Sequence, residues 1–211
     1  MKAKTRSETC IKDVDVRPIL VSRIIRKLKA QYKRDRHPFS IIPEFTICSG
    51  DARADIATVN GELCGYEIKS DADSLDRLPR QIAEYNKVFD RVTIVVGEKL
   101  LYGALDLIPD WWGIILFRAT YNDVQLFELR SSLKNPSQDY ISVVNLLTKK
   151  EIIDFYKVNR LKGYSGKNKS CLCASILRSA DRETVLSYTR QRLAEMHNDS
   201  RSVQLLSLCD A

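Results

Sequence analysis

Histidine is nearly missing from this 211-residue sequence: only His37 and His197 occur, and neither has an obvious partner in the pattern around it. Chemistry centred on imidazole is therefore poorly supplied. Long apolar runs are missing too. No stretch approaches the ~18 residues of a membrane span, and the N-terminal MKAKTRSETCIKD lacks the apolar core of a secretion signal. The expectation is an intracellular, cytoplasmic chain that does not enter membranes. No Cys-x-x-Cys pair occurs, so Cys10, Cys48, Cys64, Cys171, Cys173 and Cys209 read as free thiols, and their spacing does not support a zinc site. Internal repeats and low-complexity segments are absent.

What is present is an ordinary globular composition, 44% hydrophobic and 29% charged, with enough length for one sizeable core and a small appendage. The net charge of +7 is unevenly spread. Residues 1–36 carry 12 Lys or Arg against 4 Asp or Glu, residues 37–147 carry 10 against 16, and residues 148–169 carry 7 against 2. An acidic middle between basic segments suits a polyanion-binding protein with a cation site at its centre; solvated helix faces are the plainer reading of the same charges.

Periodicity gives the elements. Residues 13–34 read as a helix, with Asp13 or Asp15 as cap, Pro18 in its first turn, and Leu20, Ile24, Leu28 and Tyr32 as its core face. Strand-like runs follow at EFTICSG (44–50), RADIATV (53–59) and ELCGYEIKS (62–70), the last two separated by the turn signal Asn60-Gly61. A helix over 74–88 has Leu75, Leu78, Ile82 and Tyr85 at helical spacing. RVTIVVG (91–97) is a doubly buried strand. A short helix over 98–108 leads to a second hairpin in WWGIILFRA and DVQLFELR. The order α-βββ-α-β-α-ββ predicts an α/β fold with a mixed sheet, its crossover helix joining the third and fourth strands. Residues 131–144 read as a linker, and the pattern after it is purely helical. The chain divides into an α/β domain, 1–146, and a helical region, 147–211.

Within the first hairpin lie Asp55, Glu67 and Lys69. Two carboxylates on neighbouring strands offer the hard oxygen ligands that Mg²⁺ or Mn²⁺ takes. Such an ion polarises a phosphodiester and acidifies water. Lysine two residues after the glutamate shares its strand face and can position the attacking water. The carboxylates meet only in the right register. A two-residue turn at Asn60-Gly61 would set Asp55 opposite Tyr66 and put Glu67 on the other face. A three-residue loop Val59-Asn60-Gly61, with Gly61 left-handed, would set Asp55 opposite Gly65 and gather Arg53, Asp55, Glu67 and Lys69 on one face, with Gly65 leaving room for an ion. On the next helix Gln81 and Tyr85 are four apart and share a face, either as site residues or as surface and core.

The spacing D-x₁₁-E-I-K followed by Q-x-x-x-Y resembles the PD-(D/E)xK nuclease superfamily, most of all its RecB-type and exonuclease-like members. More narrowly, residues 44–113, with RADIA, GYEIKSD and RL-x-x-Q-x-x-x-Y, are similar to a group of bacterial and phage proteins built on this core. The resemblance implies a restriction-endonuclease-like fold. It makes Asp55 and Glu67 the metal-binding carboxylates, with the Ile68 carbonyl as a further ligand. Lys69 would be the catalytic lysine, Gln81 and Tyr85 the helix motif, and Glu44 the best candidate for the upstream acid that many members add. Alanine stands before Asp55 where the name-giving motif has proline.

The segment 147–177 holds a capping box, Thr148 with Glu151, ahead of a helix whose Ile152, Phe155 and Tyr156 face a core and which Gly163 ends. YSGKNKS then leads to a second helix over 170–177. This helix, basic loop and helix resemble the SAP-like or Rho-N-like nucleic-acid-binding modules. Lys162, Lys167 and Lys169 would be their phosphate contacts, which position a strand without reading its sequence; a solvated basic loop on a helical cap is the plainer reading. A last helix over 181–197 buries Val185, Tyr188 and Leu193. The function these features predict is Mg²⁺-dependent hydrolysis of DNA phosphodiester bonds, with RNA the other polynucleotide open to it. A second copy of the chain or a partner protein could complete it. The alternative is an inactive nucleic-acid- or partner-binding protein on the same fold.

Overall fold

The fold is read from a computed structural model that describes residues 12–35, 39–119 and 124–197. Cys10, Cys209, His37 and the stretch read for a secretion signal lie outside these residues, apart from Lys12 and Asp13 at its end. No described helix is long and apolar enough to cross a membrane.

Six strands form one mixed sheet whose spatial order follows the sequence: β1 (Ser40–Ile47), β2 (Ala52–Val59), β3 (Leu63–Lys69), β4 (Arg91–Gly97), β5 (Gly113–Ala119) and β6 (Val124–Arg130). The first three are antiparallel neighbours, β3–β4 and β4–β5 are parallel, and β5–β6 close as a hairpin. A parallel join needs a crossover, which α2 (Leu78–Val88) supplies for the first and α3 (Leu101–Leu105) for the second. The continuous apolar run of β4 is explained by its place: Val92, Ile94, Val95 and Val96 have no exposed surface, covered on both faces.

Helix α1 (Asp13–Asp35) covers one face, packing Leu20, Ile24 and Leu28 on Ile56, Ile68, Val95 and Phe117. Pro18 lies inside the helix, not in its first turn, and Tyr32 is exposed, its ring edge-on to Phe39, because the stripe drifts off the sheet at the helix end. Helix α2 covers the other face with Leu78, Tyr85 and Val88. It begins at Leu78 and not at Ser74, since Pro79 suits a first turn and Asp73 instead closes a turn by accepting from the Ser70 N–H at 2.7 Å.

The predicted linker contains a helix, α4 (Tyr140–Val144), capped by Asp139, which accepts from the N–H groups of Ile141 and Ser142. Then come α5 (Lys149–Val158), α6 (Lys169–Ser179) and α7 (Arg182–Met196). The Thr148–Glu151 capping box is formed, and α5 stops at Val158 rather than Gly163, with Arg160 left-handed (φ 54°) behind it. These helices have their own core in Phe155, Tyr156, Leu172, Ile176 and Val185. Helix α7 also reaches the sheet: Leu193 and Ala194 join the α2-side core, and Arg190 forms a buried ion pair with Asp90 at 2.7 Å. Asp90 also accepts from the Leu63 N–H, so one carboxylate ties α7 to the start of β3.

Candidate active site

The β2–β3 hairpin sets the site. Its pairs run Val59–Leu63, Thr58–Cys64, Ala57–Gly65 and Ile56–Tyr66, so the loop is Asn60-Gly61-Glu62, with Gly61 at φ 92°. The loop has three residues and a left-handed glycine as expected, but it starts one residue later. Continuing the register sets Asp55 opposite Glu67, not Gly65. Gly65 therefore makes no room for an ion; a Cβ there would meet the Phe89 ring at 2.9 Å, so its role is close packing. Unbroken alternation would put both carboxylates on one side in either register, but it does not continue through Asp55.

The ladder stops at Ile56–Tyr66, and beyond it β1 and β2 change phase together. Ile42 and Phe45 both face the α2-side core, as do Ala54 and Ala57, although strict alternation forbids both pairs. The break falls at Glu44 and Asp55, the one pair missing from the β1–β2 ladder, and Glu44 has φ 53°, a left-handed backbone that costs a non-glycine residue about 1 kcal/mol or more. At this break the Asp55 carboxylate turns toward β3 and accepts from the Ile68 N–H at 2.7 Å.

Glu67 is 2% exposed and fully engaged. Its Oε1 accepts from Lys69 Nζ and from Gln81 Nε2, each at 2.5 Å, and its Oε2 accepts from the Tyr85 hydroxyl at 2.5 Å. The Tyr85 hydroxyl also lies 2.8 Å from the Arg53 carbonyl, while its ring stacks on Trp112, so this residue is core and site at once. Burial and the negative charge of Glu67 hold the phenol proton on far above its ordinary pKa.

Asp55 sits in a looser, charge-rich group. Arg17 of α1 donates to the Asp55 carbonyl at 2.9 Å and reaches its carboxylate at 3.3 Å. The same guanidinium pairs with Asp13 at 2.7 Å and Glu44 at 2.9 Å. Arg53 closes on Glu44 at 2.7 Å. Burial first, then the nearby charge of Glu67, push the Asp55 carboxyl up to about 6. Glu44 stands in mid-strand and not at a strand start, its carboxylate between two arginines. Asp13 and Arg17 belong to the site although the sequence does not mark them as site residues. In the sequence Asp13 reads as a helix cap, and the link from Arg17 to Asp55 spans 38 residues with no local signal.

Asp55, Glu67, Lys69, Gln81 and Arg53 line one cleft of about 580 Å³, with Asp13, Arg77 and Arg80 at its walls. Among the described residues no three His, Cys, Asp or Glu side chains are already arranged to hold an ion. The donor chemistry nonetheless suits a hard divalent cation that takes its remaining ligands from water and substrate. Asp55 and Glu67 face one cleft that Ile68 also lines, ionisation of Asp55 is disfavoured without a further positive charge, and Asp13 Oδ1 is buried with no hydrogen-bond donor. The three lysines of the basic loop are not gathered in this way. Lys162 lines a separate shallow cleft, Lys167 donates to Ser175 of α6, and Lys169 donates to the Asn145 carbonyl. The four described cysteines are free thiols.

The family described as Bacteriophage P4 protein cII matches residues 5–206, and the chain belongs to it. Protein cII of Enterobacteria phage P4 is 26% identical over 163 residues, an alignment covering 76% of this chain and 62% of that protein. No solved structure shows significant similarity to the chain.

Proposed function

We propose that this member of the P4 cII family is a divalent-metal-dependent nuclease with a restriction-endonuclease-like PD-(D/E)xK core, hydrolysing DNA phosphodiester bonds. The observation that carries the reading is convergence: Asp55, Glu67, Lys69, Gln81 and Tyr85, drawn from two strands and a crossover helix, meet around one cleft. The α-βββ-α-β order of the core supports it. A solvated strand face would not bury Glu67 and Lys69 together.

Asp55 and Glu67, with the Ile68 carbonyl, would hold Mg²⁺ or Mn²⁺. Bound there, the ion would supply Lewis-acid polarisation of the phosphate and charge neutralisation. Gln81 and Tyr85 fix the Glu67 carboxylate by donating to it. Lys69 Nζ stands at the cleft and can orient the attacking water or donate to a non-bridging phosphate oxygen as the bond to the leaving oxygen breaks. Arg53, Arg77 and Arg80 line the same cleft and offer phosphate contacts, and Lys162, Lys167 and Lys169 would extend the polyanion surface. The alternative, binding without cleavage, draws on the closed ion pairs at Arg17, which leave Asp55 already engaged.

Incubation with linear, circular and single-stranded DNA and with RNA, in Mg²⁺, Mn²⁺ or EDTA, tests the reading. Cleavage is expected with metal and is lost in Asp55→Ala and Lys69→Ala. Failure of the unchanged chain to cut any substrate, or equal cutting by both variants, overturns it.

A further inference from the structure

We infer that Arg17 is the resident counter-charge of the Asp55 carboxylate group and competes with the divalent cation, so that metal enters by displacing its guanidinium. This rests on the reading of the cleft as a cation site. Three carboxylates from three elements surround that one guanidinium: Asp13 of α1, Glu44 of β1 and Asp55 of β2, at 2.7, 2.9 and 3.3 Å. With Glu67 the acids in this contact network number four, and the cations paired with them, Arg17, Arg53 and Lys69, balance three; Arg80 at the cleft wall pairs with Asp51 instead. One net negative charge is left. A divalent ion added to this group would overcharge it unless a side-chain cation withdrew, because desolvated like charges repel strongly.

Geometry selects which cation withdraws. Lys69 is 6% exposed and shares Glu67 with two other donors, so it has no path outward. Arg53 touches Glu44 and not Asp55. The Arg17 side chain is 24% exposed, and its longest contact, 3.3 Å, is the one to the Asp55 carboxylate. Its remaining contacts with Asp13, Glu44 and the Asp55 carbonyl would keep it at the rim. Asp13 Oδ1, which has no donor, is one more carboxylate oxygen whose negative charge is unmet. Arg17 is thus a positioning residue. It holds the carboxylates together while no metal is bound and sets the affinity with which metal binds.

Mn²⁺ titrated calorimetrically into the protein without nucleic acid reads this directly. Arg17→Gln is expected to bind Mn²⁺ roughly three- to tenfold more tightly, the equivalent of about one half-exposed ion pair. A purely structural arginine predicts the reverse, because loosened carboxylates bind more weakly. Arg17→Lys keeps the charge but not the fork, and is expected to bind more tightly than the unchanged chain by a smaller factor; it decides the matter if the glutamine variant does not fold. Asp55→Ala should abolish the heat, which places the ion in this cleft. Unchanged or weaker binding in the Arg17 variants overturns the inference, as does absence of binding in all of them. Tighter binding without DNA cleavage would keep the inference and end the nuclease reading. Cleavage with unaltered Mn²⁺ affinity would do the opposite.

Discussion

The two carboxylates at the centre of the cleft are treated very differently by the fold. Glu67 is enclosed, and its oxygens are saturated by a lysine, an amide and a phenol held in the packing of α2 on the sheet. Asp55 lies at a break in two strands, where its partners are a partly exposed arginine and the backbone of β3. The first arrangement is rigid and close to neutral. The second has an excess of acid and a carboxyl that resists ionisation. In the proposed cation site Glu67 is the ligand that packing holds in place, and Asp55 is the one whose contacts can change when an ion binds.

The sharpest way to break this comparison is Glu67→Ala. Removing the carboxylate leaves Lys69 buried without its counter-charge, and breaking a buried pair costs about 3–5 kcal/mol. Urea unfolding should show a loss of that order, and cleavage should vanish. A second variant, Glu67→Ala with Lys69→Met, should recover a large part of the stability and none of the activity. Equal stability of the single and double variants would mean that Lys69 is not held by Glu67.

Asp55→Asn should act in the other direction. The carboxyl titrates near 3.8 when unfolded and about 6 when folded, so between these values the folded chain binds more protons than the unfolded one. The stability linked to this group is complete below about pH 4 and is lost as pH rises through about 6. At about pH 8 the asparagine variant, which does not ionise, should be more stable by about 1–3 kcal/mol in EDTA, less whatever its contact with Arg17 contributes. The gain should disappear below about pH 4. If the chain is a nuclease, its cleavage should fall as Asp55 takes up its proton, at a pH below about 6 because a bound cation favours the carboxylate. A stability difference independent of pH would show that ionisation of Asp55 is not what the fold resists.

Much of this contrast is legible in the sequence, and the illegible part has a physical reason. The runs around Leu20, Leu63 and Val95 give the layers, because burial must follow the period of each element. That Glu67 and Lys69 share a face follows from strand alternation, and the three-residue loop with its left-handed glycine follows from Asn60-Gly61; Asp55 reaches the same cleft through the break in β2 and not through parity. The slide is not legible: moving the pairing by two residues keeps every side chain on its face, so hydrophobic pattern alone cannot separate Asp55–Gly65 from Asp55–Glu67. Nor does any local rule announce Glu44 at φ 53° or the phase change beside it. Arg17 is silent in the sequence because its meaning lies in a long-range contact. The lysines of the basic loop show the converse, since a run of charge fixes composition but not direction, and the three side chains take separate partners.

The smallest expected effect lies at the rim, and it bears on why Glu44 is strained. Arg53 is 65% exposed at its side chain and pairs with Glu44, itself 42% exposed. Screening and side-chain entropy leave such a pair within about 0.5 kcal/mol of nothing. Arg53→Ala should therefore change the unfolding midpoint barely, and the difference should fade as NaCl is raised toward about 1 M. The contact of the Tyr85 hydroxyl with the Arg53 carbonyl involves only the backbone of Arg53 and survives the substitution, so no larger loss is expected there. A loss above about 1 kcal/mol that persists in high salt would mean that Arg53 helps to hold Glu44 in its left-handed conformation. In that case the adjustable side of the cleft would be braced from its rim, and Glu44→Gly, which relieves the backbone strain, should restore much of what Arg53→Ala removes.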